Sequence, residues 1–366
     1  GVSAVSYGMA TYTDGFAPFV NDTPVSGVYV GRVEVPFDTA SVYYDYPDVP
    51  SGCMLLISNN NGAHTCTFSA APGGGTRATF TKVDYPFSTA GVSLFQLFAS
   101  RTTDPTFGIS AVDQSGLGQI VSTTYPALRF LGKVACSSVT PTSNTADGGE
   151  KRYTWAVSIP YSPATTSHSV VAYFTVPIST SGKPWYINYY ASGGLAQAFV
   201  SILNDNSTVL PTVLPEVFFF EIGPYVVPSS NTYGARVYSS TGVLLFDSGW
   251  PFLRVKQRVP IGDLAMASTY LYSTTQVGGT PAVTFSPALW SKYKGQKKDG
   301  DGFIEQYNDY HLAVERPAYD QLKFTFSVRE VMEYGDMYKT QIRKKGNYLN
   351  VQALVIRAED YGGATI

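Results

Sequence analysis

Tyr233-Gly234-Ala235-Arg236-Val237-Tyr238-Ser239-Ser240-Thr241-Gly242 repeats, class for class, the earlier stretch Phe107-Gly108-Ile109-Ser110-Ala111-Val112-Asp113-Gln114-Ser115-Gly116. In both, an aromatic residue and a glycine open an alternating segment, and a Ser, Thr or Asp cluster with glycine turns the chain, which is how a β-hairpin reads. The match continues downstream, where Tyr125-Pro126-Ala127-Leu128-Arg129 returns as Trp250-Pro251-Phe252-Leu253-Arg254. The offsets are 233 − 107 = 126 and 251 − 126 = 125, so one single-residue gap joins the blocks. Upstream, Arg32-Val33-Glu34-Val35-Pro36-Phe37 aligns with Ala156-Val157-Ser158-Ile159-Pro160-Tyr161 at an offset of 156 − 32 = 124. Solenoid repeats have periods of about 20–50 residues; this longer period reads as a duplicated domain. A partial third copy of the hairpin, Tyr7-Gly8 through Asp14-Gly15, stands near the start.

Each copy is built of short strand-like runs. In the first they fall at 28–37, 42–46, 53–58, 64–69, 77–83 and 92–99, separated by Pro, Gly and Asn clusters such as Pro72-Gly73-Gly74-Gly75. In the second they fall at 153–160, 169–176, 185–190, 196–203, 217–222 and 233–239. Short strands at this spacing indicate a sandwich or barrel, with a core helix at 92–99 as the alternative for that run. The expected fold is mainly β, with two tandem β-sandwich-like domains and a more charged, β-rich C-terminal region. The expected division is an N-terminal arm at 1–27, copy 1 at 28–134, a polar linker at 135–151, copy 2 at 152–259 and an assembly region at 260–366. Residues 287–366 hold 23 of the chain's 52 charged side chains, and that abrupt shift sets the last region apart. Within it Leu322 to Val328 alternates as a strand does, and Leu349 to Ile356 is more continuously apolar.

Composition narrows the function classes. Charged residues make up 14% of the 366 residues, well below the usual value of about 25%, while Tyr, Phe, Gly, Pro, Ser and Thr fill the difference. A net charge of −2 leaves no electrostatic footprint for nucleic acid. The apolar run Val217 to Phe220 is bracketed by Glu216 and Glu221, so no membrane-spanning helix is expected. No signal peptide is legible either, and synthesis in the cytoplasm is the expectation. Cys53, Cys66 and Cys136 have no metal-type spacing and are expected as free thiols.

Chemistry-bearing patterns are weak. Lys298-Asp299-Gly300-Asp301-Gly302 resembles a calcium loop, but Lys297 falls where the ion needs a carboxylate. His64, His168 and His311 lack a second ligand at helical spacing. Acid pairs such as Asp45 with Asp48 satisfy a glycosidase only by number. No catalytic residue, metal site or cofactor is therefore assigned. Three clusters offer surfaces instead. Tyr43, Tyr44 and Tyr46, with Trp185, Tyr186, Tyr189 and Tyr190, are candidates for recognition through amphipathic rings. Lys292, Lys294, Lys297, Lys298, Arg343, Lys344 and Lys345 are candidates for assembly contacts.

The hairpin from Tyr233-Gly234 through Phe246-Asp247-Ser248 and on to Trp250-Pro251-Phe252-Leu253-Arg254 resembles segments of minor tail and tail-tip proteins of tailed bacteriophages. The likeness covers about 25 residues there, a similar length at 107–134 with Val121 in place of Asp247, and a fragment at 7–15. It marks Tyr7, Gly8, Phe107, Gly108, Gly116, Pro126, Arg129, Tyr233, Gly234, Gly242, Pro251 and Arg254 as the structural repeat motif. The resemblance implies a non-enzymatic structural component of the tail tip or baseplate, located in the virion. It also implies neighbouring tail subunits and a homo-oligomer, taken as a trimer. Host-surface glycan or receptor binding is the alternative, and a glycan-degrading enzyme a further one.

Overall fold

In the computed structural model the described residues are 28–58, 64–82, 91–99, 108–112, 118–122, 128–145, 151–161, 170–179, 183–204, 210–222, 236–238, 242, 244–247, 249–262, 270–285, 289–297, 303–335, 343–346 and 351–362. They are mostly strand, arranged in several antiparallel sheets. Short 3-10 turns make up the helical part.

The first unit holds β1 (Val28–Pro36), β2 (Ser41–Tyr46), β3 (Met54–Ser58), β4 (His64–Ala70), β5 (Thr76–Lys82) and β6 (Val92–Ala99). Residues 92–99 are thus a strand. They form two sheets, β1-β6-β3 and β2-β5-β4. Between these lies a small core of Val33, Val35, Met54, Cys66, Ala78, Phe80, Phe95 and Leu97. The alternation of β5, with Thr76, Ala78 and Phe80 buried, is what a one-sided strand requires. A separate hairpin follows, β7 (Gly108–Val112) with β8 (Gly118–Ser122).

The second unit opens on β9 (Leu128–Ala135) and continues with β10 (Thr142–Thr145), β11 (Lys151–Pro160), β12 (Val170–Thr175), β13 (Trp185–Ser192), β14 (Leu195–Asn204) and β15 (Glu216–Ile222). A second separate hairpin, β16 (Arg236–Tyr238) with β17 (Leu244–Asp247), comes next. The remainder is β18 (Gln257–Gly262), β19 (Tyr270–Ser273), β20 (Pro281–Phe285), β21 (Leu289–Lys297), β22 (Phe303–Ala318), β23 (Gln321–Gly335), β24 (Arg343–Gly346) and β25 (Val351–Arg357).

The pairing repeats three times. The orders β1-β6-β3, β9-β15-β12 and β18-β25-β20 correspond, as do β2-β5-β4, β11-β14-β13 and β19-β23-β22. The first strand of each triplet carries a single extra residue immediately before a glycine: Val30 before Gly31, Leu131 before Gly132 and Ile261 before Gly262. Such a bulge twists the strand locally and is a positional feature. Register corresponds as well. Gly31 faces Leu97 as Gly132 faces Phe219, and Leu56 faces Leu97 as Ala172 faces Phe219.

This arrangement differs from the sequence reading in two places. Of Arg32–Phe37, residues 32–36 belong to β1, which pairs β6, but of Ala156–Tyr161, residues 156–160 belong to β11, which pairs β14 and not β15. The pairing therefore sets β1 against β9, so the second unit begins near 128, before the expected 152. Second, β20, β22, β23 and β25 lie in the same sheets as the second unit, so the charged tail is not a region apart. It supplies a third unit whose β22 and β23 are lengthened to 16 and 15 residues. Their distal halves, with β21 and β24, form a four-stranded arm, β24-β21-β22-β23. Most of the charges counted after residue 287 fall on this arm and its connections.

Units 2 and 3 share one large core that includes Trp155, Trp185, Phe174, Phe218, Phe220, Val283, Phe324 and Val355. Phe98 of unit 1 joins it, with Tyr29 packed alongside.

Candidate functional site

Residues 251–253 run antiparallel to the start of β9. Phe130 donates to the carbonyl of Pro251, and Leu253 donates to that of Leu128, both at 2.8 Å. The Arg129 guanidinium pairs with the Glu221 carboxylate and stacks 4.2 Å from the centre of the Trp250 ring. Arg129 thus ties β9, β15 and the segment after the second hairpin together. Burial holds the Glu221 carboxyl above its ordinary range, and the Arg129 charge pulls in the opposite direction. The backbone N–H of Arg254 donates to the Tyr361 hydroxyl at 2.7 Å. That hydroxyl donates in turn to the Phe252 carbonyl at 3.1 Å, and the Tyr361 ring lies 5.0 Å from that of Phe220. Pro251 is half-buried and Gly242 takes φ +80° at its turn. Gly108 is the first residue of β7. Tyr7, Gly8, Phe107, Gly116, Pro126, Tyr233 and Gly234 lie outside the described residues.

Of the aromatic clusters, one is a surface. Tyr43 is 56% and Tyr44 41% exposed, on β2. Cross-strand pairing sets Asp45 opposite Arg77, and the guanidinium reaches both carboxylate oxygens at 2.6 and 2.7 Å. It also lies 3.9 Å from the centre of the Tyr43 ring. The hydrogen bond from Arg77 holds the Asp45 carboxyl below its ordinary range. The result is an exposed ring fixed beside a bidentate ion pair, an arrangement suited to an apolar face with adjacent hydroxyl or amide groups. Sequence reading found the tyrosines and missed Arg77 and Asp45 as their supports, since that pair is visible only once the register is known. Tyr46 is half-buried and packs on the unit 1 core.

The second aromatic cluster is mostly core. Trp185, Tyr186 and Tyr189 are buried, and Trp185 packs against Trp155 at 5.5 Å between ring centres. The cause is the face: Trp185, Ile187 and Tyr189 share one side of β13 and pack into the large core. Tyr190 remains exposed, stacked on Phe199 at 5.6 Å.

The basic cluster lies on the arm. Lys292 stands opposite Lys344 and Asn308, Lys294 opposite Gln306, and Lys297 opposite Phe303. Arg343 faces Tyr293 and Lys345 faces Ser291. Lys298 and the calcium-like loop at 298–302 lie outside the described residues.

His64 is a structural residue. It is fully buried, with Nδ1 2.7 Å from the Ser93 hydroxyl and Nε2 donating to the Thr39 carbonyl at 2.8 Å. Cys66 and Cys136 are buried free thiols, and burial pushes the Cys136 thiol up to about 12. Among the described residues no group of three or more His, Cys, Asp or Glu side chains is placed to hold a metal ion. No helix among them is long and apolar enough to cross a membrane.

No family model, no curated protein and no solved structure matches this chain.

Proposed function

We propose that this chain is a structural subunit of the tail end of a tailed bacteriophage, made in the host cytoplasm and carried in the virion beside other tail subunits. The observation supporting this reading is that both described hairpins of the tail-protein-like motif stand as separate two-stranded elements. Each leads, through a Pro-x-Leu-Arg segment, into a six-strand unit. Repeated units joined edge to edge make rigid walls, and such a construction suits assembly. The arm of β21 to β24 carries the basic cluster and is the contact assigned to neighbouring subunits, where opposed charges set register. Mass spectrometry of purified particles tests this reading. Peptides of this chain at the copy number of other tail proteins support it, and particles without them refute it.

A second reading, adsorption to a host-surface glycan or receptor, draws on the exposed Tyr43 and Tyr44 with Arg77 and Asp45 beside them. Soluble protein that competes with particle adsorption, and loses this on Tyr43→Ala with Tyr44→Ala, favours that reading.

A further inference from the structure

Units 2 and 3 meet through one particular set of edges. In one layer β12 pairs with β20, Phe174 opposite Val283 and Thr175 opposite Ala282. In the other β13 pairs with β22, Trp185 opposite Val314. β12 and β20 occupy the same place in their units, as do β13 and β22. Like edge therefore meets like edge, antiparallel, in both layers, which is the geometry of a local two-fold and of an isologous interface.

Unit 1 has the same two edges. β3 corresponds to β12 and β20, and β4 to β13 and β22. Among the described residues β3 pairs only with β6, and β4 only with β5. Their sequences are Met54-Leu55-Leu56-Ile57-Ser58 and His64-Thr65-Cys66-Thr67-Phe68-Ser69-Ala70, without Lys, Arg, Asp, Glu or Pro. The opposite edges of the same sheets do contain them: Arg32, Glu34 and Pro36 on β1, and Asp45 on β2. Strands that remain at an edge are blunted by charge and proline, and unblunted edges template pairing. One side of unit 1 is thus blunted and the other is not.

We propose that unit 1 binds unit 1 of a second copy of this chain, β3 against β3 and β4 against β4, about a two-fold axis. The join that units 2 and 3 make within one chain is then repeated between two chains, continuing both sheets and one core. The occupant is a like unit because the same edges, where the chain shows them filled, are filled by like edges. A two-fold pair takes the place of the trimer expected from sequence. The proposal rests on strand pairing and stands or falls apart from the tail reading.

Light scattering on the full chain is expected to give twice 39.6 kDa. Hydrogen exchange is expected to slow at Met54–Ser58 and His64–Ala70 as concentration rises, and to stay unchanged at β1 and β2. Thr67→Lys with Ser69→Lys places like charges across the axis, which opposes pairing, and is expected to halve the mass with an unchanged far-ultraviolet spectrum. A wild-type chain that is monomeric at every concentration overturns the proposal. So does a dimer whose β3 and β4 amides exchange independently of concentration, or a folded double variant that remains dimeric. Should that variant fail to fold, the exchange comparison on the wild type decides alone.

Discussion

Leu253 donates its backbone N–H to the carbonyl of Leu128 at 2.8 Å, so the two Pro-x-Leu-Arg segments found by sequence comparison lie against each other in space. The second segment is thus laid along the β9 edge of unit 2. Arg129 closes that contact by pairing with Glu221 and stacking on Trp250.

Replacing Arg129 with Met leaves the Glu221 carboxylate buried without its cation, an expected loss of about 3 kcal/mol. Burial already raises the folded Glu221 carboxyl above its ordinary value. A raised carboxyl makes ionisation costly in the folded state, so the penalty is present above the folded value and relieved as pH falls below the ordinary one. Urea denaturation of the variant should show a smaller loss at acid pH than at neutral pH.

Buried Trp185 and exposed Tyr190 stand on the same strand as core and surface. Trp185→Ala is expected to cost about 3–5 kcal/mol, whereas Tyr190→Ala, at an exposed position, should stay within about 1 kcal/mol. Thermal melts of the two variants check the contrast.

His64 is held neutral in unit 1, because burial lowers its affinity for a proton. The unfolded chain takes up that proton below the ordinary histidine value of about 6.5. The stability of unit 1 should then fall as pH drops through that range. The difference between wild type and His64→Gln, followed against pH, should flatten above pH about 7.

Two neighbouring glycines differ in what they tolerate. At Gly75, with φ +78°, an added Cβ falls 2.3 Å from the Tyr46 carbonyl oxygen and 2.6 Å from the Pro47 Cα. At Gly74, with φ +95°, it meets open space. Gly74→Ala should cost about 1 kcal/mol from backbone conformation alone, and Gly75→Ala clearly more, read as the difference in melting temperature.

Strand positions and fold class were legible because turn clusters and alternation are local signals: β2, β4, β6 and β15 fall within one residue or so of their expected runs. Pairing was not. Val30-Gly31 and Leu131-Gly132 mark equivalent bulges, but two residues are too short to align without knowing that β9 faces β15. Arg32–Phe37 matched Ala156–Tyr161 instead, since both are one-sided strands ending at Pro and an aromatic. The third unit escaped notice because charged arm sequence separates β20 from the second half of β22, and the first half of β23 from β25, and composition followed the arm. Tyr43, Tyr44 and Trp185 read alike in sequence, because which face of a strand meets the other sheet is set by distant strands.

The third unit also changes how the arm is tested. Deleting 287–366 removes β25, the strand between β18 and β20, and is expected to abolish cooperative unfolding. Removing 289–311 and 327–346 keeps the part of the β22–β23 hairpin that the sandwich holds. That variant should melt cooperatively yet be missing from purified particles, measured by quantitative mass spectrometry.

The central claim, a structural subunit at the tail end, is tested most directly by electron microscopy of particles carrying a label fused after Ile366. The account predicts label at the host-facing end of the tail on every intact particle, in a fixed symmetric number. Label on the capsid, or infectious particles without any, would contradict it.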